Sequence, residues 1–429
     1  MGGLGMNQKS GYKQYTDILR EELVPAMGCT EPIAIAFAAA KAREVLGTLP
    51  DSVTIHVSGN ILKNVKSVVV PHTDGLRGIP AAVSIGIIAG DAEKELEVLS
   101  HITKEQIKSA KDFLASTPVS VNFADTPHIF DIMITLKKGE NSSFVRIAEH
   151  HTNLVCIKKN TETLFEKEII KEENGLTDHS ILNIESIIDY ADNIAIEQVE
   201  DILTRQIEYN MAIAEEGLRS SYGANIGSTL LSQNSTDIHQ RMRAYAAAGS
   251  DARMNGCEMP VIICSGSGNQ GITASVPVIV YAEDKKKSRE ELLRALCISN
   301  LVTIHLKAGI GRLSAYCGVV SAACGAAAGV AYLEGGRYNT IAHTVVNALA
   351  MDSGIICDGA KASCAAKIAS AVDAGLLGLT MYKNGNQFYS GEGLVAKGVE
   401  NTIRNIGSLA RNGMAGTDKE IIRLMLLSQ

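Results

Sequence analysis

The chain has 429 residues, 46% of them hydrophobic and 20% charged, which is enough apolar material for a sizeable core and excludes global disorder. Lys and Arg number 40 against 47 Asp and Glu, a net charge of −7, and aromatics make up 4% with no Trp. With no basic tract, few rings for base stacking and no aromatic belt, neither nucleic acid nor a membrane is an expected partner.

At about 150 residues per domain, the length predicts two or three domains. The N-terminal residues are polar and Gly-rich with no apolar leader pattern. The most apolar stretch, residues 318–333, falls short of the roughly 20 residues a bilayer span needs. A cytoplasmic chain is therefore expected. The nine cysteines are an odd count spread from Cys29 to Cys364, which predicts reduced thiols and not a disulfide framework.

Residues 15–22 are amphipathic and 32–46 are Ala-rich, so both predict helices. Between them runs Met27-Gly28-Cys29-Thr30-Glu31-Pro32. Thr30 suits a cap and Pro32 a first turn, and a cysteine just before a helix N-terminus sits where a thiolate is favoured. Residues 53–70 read as extended, with Ser58 to Asn64 as a polar link between two strands. Helical patterning returns over 79–114. Strands are expected over 119–123, 130–137, 143–149 and 154–159, with Lys138-Gly139-Glu140-Asn141 as a hairpin turn. Residues 160–185 are charged and read as a surface connection. From there on the sequence predicts helices over 208–253, 288–305, 314–333, 338–352, 361–377 and 398–411, joined by Gly-rich loops. The expected fold class is α+β. A mainly helical domain spans 176–429, a smaller α+β domain with an antiparallel sheet spans 51–175, and the helices of 1–50 pack on the helical domain. Helices rich in Ala and Gly permit close contact between copies of the chain, so a homo-oligomer is allowed.

The C-terminal half concentrates cysteine. Cys357 and Cys364 flank a short polar turn, and Cys317 opens an Ala/Gly helix. Three thiolates from two places in a chain suit a [4Fe–4S] cluster, and zinc is the competing soft-ligand reading. Buried cysteine as a small hydrophobe is the plain alternative, and Cys156 and Cys297 are read that way. Gly266 to Gly271 reads as a flexible loop in which the amides of Asn269 and Gln270 can meet a carboxylate or amine. It lacks the pattern of a dinucleotide or phosphate loop. His305 and His343 sit in apolar helix patterns as core or interface residues.

These segments together resemble the L-cysteine desulfidase family, UPF0597 proteins related to the iron–sulfur L-serine dehydratases. The resemblance rests on Gly28-Cys29-Thr30-Glu31-Pro32, on Ser58-Gly59-Asn60 with Lys63-Asn64, and on Gly266 to Gly271. It rests also on Gly311-Arg312-Leu313-Ser314-Ala315-Tyr316-Cys317-Gly318 and on the run from Gly354 to Cys364. It implies a [4Fe–4S] cluster in the helical domain, held by Cys317, Cys357 and Cys364 with one iron open to substrate, and Cys29 as the base. Cys324 lies seven residues past Cys317, about 10 Å along a helix, and is the second choice for the first ligand. The implied reaction is α,β-elimination of L-cysteine to pyruvate, ammonia and hydrogen sulfide. Glu31, Asn60, Lys63, Asn64, Asn269 and Gln270 would fix the amino acid, with Lys63 the cation for its carboxylate. Asp358 and Ser363 would hydrogen-bond around the ligands. An L-serine or other 2-amino acid ammonia-lyase on the same scaffold is the alternative activity. A non-catalytic iron–sulfur or zinc protein is the alternative of another class.

Overall fold

The structure of the protein, a computed structural model, describes residues 4–27, 30–169, 177–311 and 314–427. Helix α1 (Leu4–Glu22) is followed by the short strand β1 (Pro25–Met27) and helix α2 (Thr30–Leu46). Strand β2 (Ser52–Val57), the two-turn helix α3 (Gly59–Val65), α4 (Gly78–Ala89) and α5 (Lys104–Ser116) come next. The sheet is completed by β3 (Val119–Phe123), β4 (Asp131–Lys138), β5 (Asn141–Ala148), β6 (Leu154–Lys159) and β7 (Glu162–Glu166). Its order is β3-β2-β4-β5-β6-β7.

The structure is α+β, as the sequence predicts, but the sheet is mixed. β2 and β3 run parallel, with Val53 opposite Val119, while every other neighbouring pair is antiparallel. A parallel pair needs a long crossover, and α3 to α5 supply it. β7 lies inside the stretch read as a surface connection. The segment read as a link between strands is α3, and no second strand follows it. The reason lies in its spacing: Ile61, Leu62 and Val65 share one helical face and are fully buried. α2 is apolar nearly all round, with Ala34 to Ala40 at most 2% exposed, which marks a core helix. It packs so tightly on α4 that a Cβ on Gly86 would lie 2.3 Å from the Ala36 carbonyl oxygen.

The remaining helices are α6 (Ile184–Asn193), α7 (Glu200–Arg219), α8 (Ile226–Gln233), α9 (Ile238–Met254) and, after strand β8 (Pro260–Ile262), α10 (Gly268–Asp284). Then follow α11 (Arg289–Ile310), α12 (Gly318–Leu333), α13 (Tyr338–Asp352), α14 (Ser363–Lys383), α15 (Val399–Ser408) and α16 (Ala415–Leu427). They share a second core, to which α1 contributes Ile18 and Leu19 and the residue just after it Leu23, whereas α2 belongs to the core of the sheet. β1 pairs antiparallel with β8, so the chain just before Cys29 runs beside the strand that leads into α10. The chain end comes back onto the small domain: α16 sets Ile422 against Gly59 and Asp418 against Lys63.

Two helices, Arg289–Ile310 and Ser363–Lys383, are long and apolar enough to cross a membrane, but 72% and 56% of their apolar windows are buried inside the fold. They serve as core helices here. α11 and α12 meet through small residues: a Cβ on Gly325 would lie 2.2 Å from Thr303 Oγ1 and 2.3 Å from the Ser299 carbonyl oxygen. Exchanging Gly for Ala inside a helix normally gains about 1 kcal/mol. Here overpacking, at about 1–3 kcal/mol, opposes that gain and meets rigid backbone. Gly325→Ala is therefore expected to lower the urea midpoint of unfolding, and a raised midpoint would show that the two helices separate freely.

Candidate active site

Two cysteine segments are brought together by backbone pairing. The Cys317 amide donates to the Ile355 carbonyl at 3.0 Å, and the Cys357 amide donates to the Ala315 carbonyl at 2.6 Å. Tyr316 and Ile356 form an antiparallel bridge between these bonds. Such a ladder fixes Cys317 and Cys357 as neighbours whatever their side chains do. The chain then turns through Gly359, at φ +94°, and enters α14 with Cys364 in the first turn. The Cys364 thiol lies 3.5 Å from the Gly359 carbonyl oxygen.

Electrostatics distinguish the three thiols. Cys317 donates to Cys357, and this bond, with help from Lys63, the Gly359 amide and Lys367, lowers the Cys357 pKa to about 5 against the opposing effect of burial. The same bond, together with burial, holds Cys317 well above the ordinary thiol range. Cys364 is raised mainly by burial and next by the neighbouring Cys357. One thiolate thus forms readily, with two further thiols beside it. Both Cys317, at the start of α12, and Cys364 lie at helix N-termini, where free amides favour negative charge. Cys324 stands apart: it is fully buried within α12, and the groups that act on it are the peptide chain and Asp352.

Several lysines lie around the thiols. Lys63 was expected on the polar link between two strands, as the cation for the substrate carboxylate. It is instead on α3, 5% exposed, and its Nζ is 2.5 Å from Asp418. Lys367 donates to Asp358 and to the Ile356 carbonyl. Burial disfavours the Asp358 carboxylate, but hydrogen bonds from Lys367 and Lys361 outweigh it and hold its pKa below the usual range. Asp358 therefore braces the loop between Cys357 and Cys364. Lys307, in the last turn of α11, donates to the Gly311 carbonyl at 2.8 Å.

The Gly266 to Gly271 segment is only partly loop. α10 begins at Gly268, so Asn269 and Gln270 occupy its first turn and are 7% and 6% exposed. A helix start is possible here because the glycines admit close neighbours: a Cβ on Gly271 would lie 2.0 Å from the Ile262 carbonyl oxygen. Gln270 lies against Gly318, the residue after Cys317, and its Oε1 is a buried acceptor with no hydrogen-bond partner among the described residues. Asn269 Oδ1 accepts from Arg253 at 3.4 Å.

A second polar cluster forms across α2 and α3. Asn64 donates to Glu31 at 3.4 Å and to Asn60 at 3.2 Å. Sequence reasoning missed a further member, His151, whose Nε2 is 2.9 Å from Thr30 Oγ1. The ring packs edge-on against Phe130 at 4.6 Å. Burial pushes the imidazole pKa down and the Glu31 carboxylate opposes this. Cys29 itself, the expected base, lies outside the described residues, as do Arg312 and Leu313 of the Cys317 segment. His305 and His343 have structural partners: His305 lies 2.7 Å from Glu400, and His343 stacks on Tyr382 at 4.8 Å.

The thiols lie with an unpartnered acceptor at Gln270 and with Lys63, which is buried, and Lys307 and Lys367, which are partly buried. Residues 93–423 match the profile of the serine dehydratase alpha chain. A UPF0597 protein of Desulfitobacterium hafniense is 57% identical over 416 residues, covering 97% of each chain. Its counterpart in Lachnoclostridium phytofermentans is 53% identical over 97% of this chain and 100% of its own. That of Treponema denticola is 48% identical over 97% and 99%. The chain belongs to the serine dehydratase alpha chain family, among its UPF0597 relatives.

Proposed function

We propose that this chain is an iron–sulfur lyase that eliminates hydrogen sulfide from L-cysteine, giving pyruvate and ammonia. The observation that carries the reading is the meeting of Cys317, Cys357 and Cys364, one of them poised as a thiolate. The donor set fits a [4Fe–4S] cluster. Among the described residues no three of His, Cys, Asp and Glu are gathered tightly enough to share one ion. Each thiolate of a cluster binds its own iron, so three cysteines serve three irons and leave the fourth open. Cys317, Cys357 and Cys364 would hold the cluster, and when bound it supplies a Lewis-acidic iron that eases departure of the β-substituent.

The chain's own residues handle the amino acid. Gln270 Oε1, buried and without a partner, accepts from the substrate ammonium. Asn269, one residue earlier on the first turn of α10, assists it. Asn60, Asn64 and Glu31 hold one another and form a polar wall beside α2. Cys29 removes the α-proton, and His151, through Thr30, steadies the segment that carries it. The released 2-aminoacrylate tautomerises and is hydrolysed in water. Burial of Asn269 and Gln270 keeps bulk water away from the α-carbon until release. The protein works on a small amino acid in the cytoplasm, without a nucleic acid or membrane partner.

Elimination of water from L-serine is the second reading, favoured by the serine dehydratase family match. The two differ only in the leaving group. Anaerobic reconstitution with iron and sulfide, followed by assay of pyruvate from both amino acids, decides between them. We expect kcat/KM for L-cysteine to exceed that for L-serine by at least about tenfold, equivalent to ~1.4 kcal/mol in transition-state stabilisation. The reverse ratio would assign the serine activity, and a loaded cluster with no turnover of either would assign a non-catalytic role.

A further inference from the structure

Three sulfur ligands create a negative environment, yet an amino acid must bring its carboxylate into it. A cation with room for that carboxylate is required. Three lysines act on the thiols: Lys63, Lys367 and Lys307. Lys63 is already neutralised by Asp418, and Lys367 by Asp358. Lys307 differs. Among the described residues its Nζ donates to the Gly311 carbonyl alone, and no carboxylate pairs with it. An ammonium has three donors, so hydrogen-bonding capacity remains.

Resting on the lyase reading of this site, we infer that Lys307, and not Lys63, receives the α-carboxylate of the incoming amino acid. Its position supports this. Lys307 sits in the last turn of α11, and Gly311 opens the segment that leads to Cys317. Burial and nearby Lys63 lower its pKa, while Cys357 and Cys317 oppose the shift. A desolvated cation without a carboxylate gains from one that arrives, because binding replaces lost hydration with a charge-assisted hydrogen bond. Lys63, closed by Asp418, joins α3 to the C-terminal helix and is a structural cation.

The test separates recognition from mere capping of Gly311. Anaerobically reconstituted protein is titrated calorimetrically with 3-mercaptopropionate, which carries a carboxylate and no amine, and with cysteamine, which carries an amine and no carboxylate. Lys307→Met is expected to weaken 3-mercaptopropionate by about 10–100-fold, the range for a hydrogen bond to a charged group. Cysteamine affinity stays within about twofold, and Lys307→Arg recovers part of the loss, as retention of a cation should. KM for L-cysteine rises with 3-mercaptopropionate dissociation while kcat changes little. If Lys307→Met fails to load the cluster, Lys307→Gln, which can still donate to Gly311, carries the same comparison. Equal weakening of both probes, no change in either, or a wild type that does not bind 3-mercaptopropionate overturns the inference. A wild type that binds it through Lys307 but turns over no amino acid overturns the lyase reading alone.

Discussion

Cys357→Ala is expected to abolish the visible iron–sulfur band after anaerobic reconstitution and to reduce lyase turnover by more than about a hundredfold. Loss of an outer hydrogen-bond partner already costs metal sites about 10–100-fold in affinity or activity, and a ligand itself should exceed that. Cys357 is the most informative of the three because it is the thiol that ionises first, at a pKa of about 5. It accepts from Cys317 and the Gly359 amide and faces Lys63 and Lys367. Its removal takes away the anion around which these groups are arranged, and leaves Cys317 and Cys364, on both of which burial disfavours the thiolate. Cys324→Ala is the matched control. It removes a thiol seven residues past Cys317 that is more deeply buried than Cys357 and is not among the groups acting on Cys357. The control should retain the band. Loss of the band in Cys324→Ala with retention in Cys317→Ala would move the first ligand to Cys324. A full band in Cys357→Ala would dismantle the proposed ligand set.

Local features of the candidate site were legible in the sequence. The run from Cys357 to Cys364 sets two cysteines, the turn glycine and the bracing Asp358 within eight positions. Long helices such as α2, α12 and α13 were legible too, because their apolar content sets the outcome before tertiary contacts do. The misreadings follow a pattern. α3 and the start of α10 are rich in Gly and Asn, which weigh towards loops, and only burial against neighbouring elements makes them helical. Their side chains accordingly point elsewhere than a loop reading suggests: Lys63 is spent on Asp418, 355 positions away. His151 meets Thr30 across 121 positions, and no local pattern announces such a pair. Lys307 looks like an ordinary helix-end lysine until the partners of its neighbours are known. The parallel pairing of β2 with β3 was likewise invisible, because alternation of apolar residues reports which face is buried and not which direction a neighbour runs.

Gly359→Ala should disable the site without unfolding the protein. Two independent constraints act at this position. Its φ of +94° lies where an L-residue is strained, at a cost of roughly 1–2 kcal/mol. A Cβ would also lie 1.9 Å from the Lys63 carbonyl oxygen and 2.5 Å from its carbonyl carbon, and backbone cannot swing aside as a side chain can. The loop between Cys357 and Cys364 must then lift away from α3. That movement withdraws the Gly359 amide from Cys357 and displaces Lys63, both of which lower the Cys357 pKa. Cluster retention under a chelator is expected to fall by about 10–100-fold, as for other changes behind a ligand. The cooperative unfolding of the metal-free protein should shift only slightly, since a cost of a few kcal/mol is spread over two large cores. Gly354→Ala provides the contrast. It lies on the same segment, but a Cβ there would meet nothing within 4 Å and its φ is not in the left-handed region, so loading should match the wild type. Equal cluster retention in Gly359→Ala and Gly354→Ala would mean that the close approach of the ligand loop to α3 plays no part in holding the thiols in place.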